Sequence, residues 1–325
     1  MIDKNLILLA YGSEQECRRA IFCILSFLAW NPESIPCTQI IVYTDRPAIF
    51  KKALKHENIA YVLLSKEMME DMLAGSGYFH RIKVAVTALT FENFPERDVL
   101  FIDADTFFIS PAREMMGSFE QGKSFMHKRE YSMQDSIGIF TSYGEREFPD
   151  AFLTYIDGRE FPVGGQPEIF GHKDYSWNSG VLGLHRSFTD LMPDVFKLTD
   201  AFYQHSRWFV SEQLAFSFIL QRKTSIFPAD KYIIHYWAKR QKIYMDALLD
   251  RFLTETPPEE LSNREWIRSV TRRWKKGLEI DTIFDHGTTS LRNGNWYFGF
   301  KKILQLLYLK PKAVLQLYSA VNRTD

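Results

Sequence analysis

Two carboxylates one residue apart, Asp103 and Asp105, follow the apolar run Val99-Leu100-Phe101-Ile102 and precede Thr106-Phe107-Phe108-Ile109. The leading run is short, continuous and β-prone, the pattern of a strand buried on both faces of a parallel sheet. Acids are rarely buried unless a cation or ion-pair partner accompanies them. Residues two apart on extended chain leave the same face, and at the carboxyl end of a central α/β strand that face looks into the ligand crevice. Two hard oxygen donors there suit Mg²⁺ or Mn²⁺, ions that also take oxygens from a diphosphate. The same triplet is also compatible with turn chemistry, in which Asp side chains bond the backbone that follows.

Other polar residues stand at the ends of apolar segments. Asn178-Ser179-Gly180 precedes Val181-Leu182-Gly183-Leu184; the glycines admit close approach of a ligand, or mark a bulge. Ser211-Glu212-Gln213 opens a helix whose next residues, 214–220, are almost wholly apolar. An N-cap at Ser211 and a first-turn charge at Glu212 account for two of these and leave Gln213 free. His235 ends a strand among Tyr232, Tyr236 and Trp237, as a hydrogen-bonded core residue or as a third ligand for the carboxylate pair. Lys239, Arg240 and Lys242 follow it, suited to phosphate or to a solvated face. Arg81 and Lys83 lie on the helix before the acidic strand, where either can meet a diphosphate or stay at the surface.

The elements that must position these groups alternate. Strands are expected at 5–12, 39–44, 59–64 and 99–102, with helices at 18–30, 48–56, 66–73 and 79–91, and Ser13 with Glu16 forms a capping box. That rhythm implies βαβ units and a mainly parallel sheet. A helix at 112–119 and a strand at 124–127 follow. Residues 131–175 show little periodicity and read as a long irregular, acceptor-side loop region. Strand character returns at 177–185, then helices at 190–205 and 212–221 and short strands at 224–227 and 232–236. From 238 to about 279 the pattern is helical, with a break at Pro257-Pro258. The expected fold is α/β: a mixed, mainly parallel sheet flanked by helices over 1–243, with a helical C-terminal extension over 244–325.

The 40 basic residues balance 40 acidic ones, which argues against nucleic acid as a partner. The balance is uneven, since from His235 onward 16 Lys and Arg face 10 Asp and Glu. Residues 296–321 interleave lysines with aromatic and aliphatic residues, a pattern that suits a helix in an anionic membrane interface or one docked on the domain. Three cysteines crowded near the N-terminus make a disulfide framework implausible and a reduced, cytoplasmic setting the expectation. The start of the chain reads as a strand rather than a signal peptide, and no apolar run reaches the roughly 18 residues of a spanning helix.

In their order these segments resemble the GT-A fold glycosyltransferases, and are most similar to the glycogenin and lipopolysaccharide galactosyltransferase group, glycosyltransferase family 8. The resemblance covers about residues 5–243. It implies that Asp103 and Asp105, with Ala104 between them, and His235 hold Mn²⁺ (or Mg²⁺) against the diphosphate of a nucleotide sugar. It implies a phosphate-side role for Lys83, with Arg81 as the other candidate and Lys239 in the segment after the histidine. Asn178-Ser179-Gly180-Val181 matches the family's Asn-Ala/Ser-Gly-Val strand, and Glu212-Gln213 matches the Asp-Gln pair near the anomeric carbon. Donor-base contacts are expected at the ends of the first two strands, Ala10, Tyr11, Thr44 and Asp45. Two departures stand out: Glu212 replaces the usual Asp, and Ala238, Lys239, Arg240 and Gln241 replace the usual Gly and Lys-Pro-Trp. The implied activity is retaining transfer of a hexose from a nucleotide sugar, such as a UDP-hexose, to a saccharide or lipid-linked acceptor. Alternatives are a haloacid-dehalogenase-like phosphotransferase, whose motif opens the first strand and has Thr or Val where Phe107 stands here, and a non-catalytic nucleotide-sugar-binding scaffold.

Overall fold

The computed structural model describes residues 1–292 and 296–309. Seven strands form the central sheet: β1 (Lys4–Ala10), β2 (Thr38–Thr44), β3 (Ile59–Leu63), β4 (Asp98–Ile102), β5 (Lys123–Met126), β6 (Val181–Leu184) and β7 (Ser225–Pro228). Their order is β7-β5-β6-β4-β1-β2-β3. β6 alone runs antiparallel to its neighbours β4 and β5, and the other pairs are parallel. This is the mixed, mainly parallel sheet expected from the sequence.

Period-two alternation sends each central strand into two cores. Leu6, Leu8, Ile40, Val42, Leu100 and Ile102 face one side, while Ile7, Ile41, Tyr43, Val99 and Phe101 face the other. Because both faces are covered, these strands read as continuous apolar runs. On the first side lies α1 (Glu14–Trp30), whose N-cap Ser13 accepts a hydrogen bond from the Glu16 backbone N–H. The C-terminal helices α5 (Lys239–Glu255) and α6 (Arg264–Arg292) share that core through Met245, Leu249, Phe252, Ile267, Val270 and Trp274. On the second side lie α2 (Arg81–Asn93), α3 (Met192–Ser206) and α4 (Ser211–Lys223). Helix α7 (Trp296–Leu309) folds back on α6 through Leu306 and Ile303 against Leu291, Ile280 and Ile283. Among the described residues no helix is long and apolar enough to cross a membrane. Residues 310–321 of the basic tail lie outside the described residues.

Three expectations require correction. Residues 131–175 are not irregular: they form helices Met133–Thr141 and Glu147–Ile156 and a hairpin of Glu160–Val163 with Gln166–Ile169. Ser132 and Asp135 make a capping box for the first helix, and Gly164 and Gly165, both at positive φ, turn the hairpin. Phe140 and Phe152 from these helices pack edge-on to buried Trp208. Aromatic anchors separated by polar and glycine residues leave no clean period to read. The helix expected at 112–119 is only Arg113–Met116. The strand expected at 177–185 is two, Tyr175–Trp177 and β6, broken at Asn178-Ser179-Gly180.

Candidate active site and metal centre

Asp103 and Asp105 meet through a turn, not through strand alternation. β4 ends at Ile102, the chain turns over Ala104 and Asp105, and a short strand Thr106–Phe108 resumes. The Asp103 backbone N–H donates to the Gly180 carbonyl at 2.9 Å, and the Thr106 hydroxyl donates to the Asp103 carbonyl at 2.8 Å. Thr106–Phe108 pairs antiparallel with Ile233–His235, placing His235 opposite Thr106. One ligand atom from each of Asp103, Asp105 and His235 then lies within 4.8 Å of the others. His235 Nε2 is 3.2 Å from Asp105 and 3.8 Å from Asp103. Gly180 makes this possible, since a Cβ there would stand 2.2–2.8 Å from atoms of the His235 ring.

The donor set fits a divalent cation. His235 Nδ1 contacts Asn178 Oδ1 at 2.7 Å, and that oxygen also accepts from the Gly180 backbone N–H at 3.0 Å. An acceptor facing Nδ1 requires the proton on Nδ1, which leaves the Nε2 lone pair aimed at two carboxylates. A lone pair and two anions converging on one point are reconciled by a cation, the arrangement of metal-binding histidines with an ordered partner behind them. His127 stands edge-on to His235 at 5.6 Å, and burial pushes its pKa down to about 3, so it is a neutral wall.

Cations already surround this point. Lys83 is 6% exposed; its Nζ is 3.1 Å from Asp103 and 3.0 Å from Glu212, and it also donates to the Ser179 hydroxyl and carbonyl. Lys242 Nζ is 2.7 Å from Asp105. Burial by itself would raise the Asp105 carboxyl, but His235 when its ring is protonated, together with Lys242, outweighs it and holds it well below the usual range. Burial would likewise raise Glu212, yet Lys83, His80 and the Ser179 hydroxyl bring it below its ordinary value.

Glu212 and Gln213 sit in the first turn of α4, fully in the interior. Ser211 does not cap this helix: its hydroxyl donates to the Trp208 carbonyl, and Val210 is the cap residue. The Tyr78 hydroxyl accepts the Glu212 N–H. Gln213 Oε1 accepts from the Ser179 N–H, while its Nε2 donates to Ser176 at 2.7 Å and to Glu130 at 3.0 Å. Asn178 Nδ2 donates to the other oxygen of Glu130, also at 3.0 Å.

The remaining expected residues divide. Ala10 and Thr44 end β1 and β2 side by side and are fully buried; Thr44 accepts from the Arg46 N–H. Tyr11 and Asp45 follow them half-buried, with Asp45 accepting from the Gly12 N–H at 3.4 Å. Ala104 is buried inside the acidic turn. Arg81 is not in the cluster: it pairs with Asp200 at 2.7 Å, donates to the Met72 carbonyl and lies over the Phe196 ring. Lys239 is exposed at the start of α5, and it is Lys242, one turn on, that reaches Asp105. Sequence reasoning passed over Glu130, a single acid in Arg-Glu-Tyr-Ser with no motif around it; only the pairing of Arg129–Ser132 with Tyr175–Trp177 brings it to the site.

No protein-family model and no curated protein matches this sequence. Solved structures do. Mouse xyloside xylosyltransferase 1 is 15% identical, covering 70% of this chain and 85% of its own at a TM-score of 0.43. The galactosyltransferase LgtC, in complex with donor and acceptor sugar analogues, is 13% identical, covering 80% of this chain and 99% of its own at a TM-score of 0.46. The bifunctional glycosyltransferase WbbM is 10% identical, covering 81% of this chain and 52% of its own at a TM-score of 0.49. All three are glycosyltransferases by name, the class whose motifs the sequence resembles.

Proposed function

We propose that the protein is a metal-dependent glycosyltransferase that moves a hexose from a nucleotide diphosphate sugar, with UDP-hexoses the first candidates, to a saccharide or lipid-linked acceptor with retention of configuration. The observation that carries the reading is the convergence of Asp103, Asp105 and the Nε2 lone pair of His235 on one point, with Lys83 and Lys242 beside the carboxylates. A divalent cation held by those three residues supplies Lewis-acid stabilisation of the charge that grows on a departing nucleoside diphosphate. Lys242, about one-third exposed, is the protein cation placed to meet an incoming phosphate, whereas buried Lys83 holds Asp103 and Glu212 in place. Gln213 and Glu212 stand on the sugar side of the site, their positions fixed by Ser176, Ser179 and Lys83. Tyr11 and Asp45 line the donor-base end. On this reading residues 1–243 carry donor and metal, while the described part of the 244–325 extension completes the α1-side core as far as Leu278 and presents α7 to a membrane surface that holds a lipid-linked acceptor.

The test is release of nucleoside diphosphate from a panel of nucleotide sugars, with Mn²⁺ and with EDTA, for the wild type and Asp105→Ala. Metal-dependent release from one sugar nucleotide, lost in the variant, is the expected result. Absence of binding and turnover with every donor overturns the proposal, and phosphate release from sugar-free phosphomonoesters would favour the phosphotransferase alternative.

A further inference from the structure

The geometry points to Glu130 as a positioning residue that sets the tautomer of His235 from the far side of Asn178. Its carboxylate accepts from two side-chain amides at once, Asn178 Nδ2 through one oxygen and Gln213 Nε2 through the other, both at 3.0 Å. A carboxylate is acceptor-only, so it dictates which end of each amide faces it. For Asn178 the nitrogen is held toward Glu130 and the oxygen is turned toward the Gly180 N–H and His235 Nδ1. If Asn178 flipped, an NH₂ group would confront the Gly180 N–H, and the imidazole proton would move to Nε2, in front of Asp105 at 3.2 Å. The lone pair on which the metal centre depends would then be gone. For Gln213 the same carboxylate keeps Oε1 on the Ser179 N–H, one residue from Asn178. Glu130 thus orders both amides flanking the sequence Asn178-Ser179-Gly180, and its effect on the centre runs through Asn178 without contact with a metal. Outer-shell hydrogen bonds of this type change metal affinity by about 10–100-fold when removed.

The experiment is nitrogen-15 NMR of histidine-labelled, metal-free protein, followed upward in pH until the ring signals stop changing, on wild type, Glu130→Ala and Glu130→Gln. Mn²⁺ affinity is measured on the same samples by calorimetry. The wild type is expected to show His235 as a single Nδ1–H species. Both variants are expected to show mixed tautomers and Mn²⁺ binding weakened by about tenfold or more, with a cooperative thermal unfolding transition retained by at least the isosteric Gln variant. A His235 that stays wholly Nδ1–H with affinity within about twofold of wild type overturns the inference. The affinity readout rests on the metal reading proposed above. If the wild type binds no Mn²⁺, that reading fails, and the tautomer measurement alone decides the role of Glu130.

Discussion

Replacing Lys83 by Met removes one charge from an ion pair that is almost wholly dehydrated, because the Lys83 and Glu212 side chains are only 8% and 3% exposed. Left behind, the Glu212 carboxylate would keep one side-chain donor, the Ser179 hydroxyl at 2.7 Å. Breaking a buried pair from one side costs about 3–5 kcal/mol, chiefly because an uncompensated charge remains in the interior. Asp103, about one-quarter exposed, loses the same partner but regains solvation from water and adds little. Urea unfolding at pH 7 should therefore place Lys83→Met about 3–5 kcal/mol below wild type with an unchanged m-value. Neutralising the abandoned acid in Lys83→Met/Glu212→Gln should recover most of that loss. The sign with pH follows from the two states of Glu212. In the wild type its folded pKa lies below the ordinary carboxyl value, so its stabilising contribution is present above the ordinary value and is lost as pH falls through the depressed one. In the variant, burial without Lys83 raises the folded pKa, so the penalty is full at neutral pH and is relieved as pH falls through the raised value. Both trends narrow the gap between the proteins on acidification. A loss below about 1 kcal/mol, far short of that expected for a buried pair, or a gap that stays constant between pH 7 and pH 5, would refute the reasoning.

Three further outcomes are expected. Gly180→Ala drives a Cβ into the His235 ring; overpacking of this kind costs about 1–3 kcal/mol and should weaken Mn²⁺ binding, so an unchanged melting temperature together with unchanged affinity would contradict it. Arg81→Ala removes the pair with Asp200 and should lower stability by about 1–2 kcal/mol while leaving the KM for a nucleotide sugar within about twofold; a large rise in KM at unaltered stability would return Arg81 to the phosphate site. On α7, Tyr297, Phe300, Leu304 and Tyr308 form an exposed stripe, 58–89% accessible, beside Lys301. Serine at 297, 300 and 304 together should cut sedimentation with anionic phospholipid vesicles by about tenfold or more, and equal sedimentation of both proteins would remove the membrane role of this face.

The sheet was legible because its strands are buried on both sides: Leu6 to Leu8 and Val99 to Ile102 have no polar interruption, and loops of ordinary length separate them. The metal centre was legible in its ligands but not in its geometry. Asp103 and Asp105 suggested one face of an extended strand, whereas a turn tied to the Gly180 carbonyl and the Thr106 hydroxyl brings them together. Glu212 read as an ordinary first-turn acid because sequence shows charge but not burial, and Lys83, 129 positions earlier in the chain, is what makes that acid tolerable in the interior. Lys83 was the better match to the family and Arg81 the other candidate, and once their helix is placed the side chains reach different neighbours, Asp103 and Glu212 for Lys83 and Asp200 for Arg81. Glu130 was invisible for a general reason: a residue that works by orienting an amide has no spacing rule, since its partners come from strands and helices assembled late in the chain.

The way α5 and α6 close over α1 bears on how this protein tolerates being cut. Arg19, buried on α1, donates through Nε and Nη2 to the two oxygens of Asp246 and through Nη1 to Glu16, and Phe22 is wrapped by Phe107, Phe252 and Trp274. A chain stopped after residue 243 would keep every proposed ligand and lysine of the centre, yet it would expose the aromatic flank of α1 and leave buried Arg19 with Glu16 as its remaining carboxylate partner. Such a fragment is expected to aggregate rather than behave as a minimal catalyst. Proteases, for the same reason, should nick the chain last between α5 and the body. The end of the chain is therefore a poor place to look for dispensable sequence up to Leu278, the last residue of α6 sealed into the α1 core.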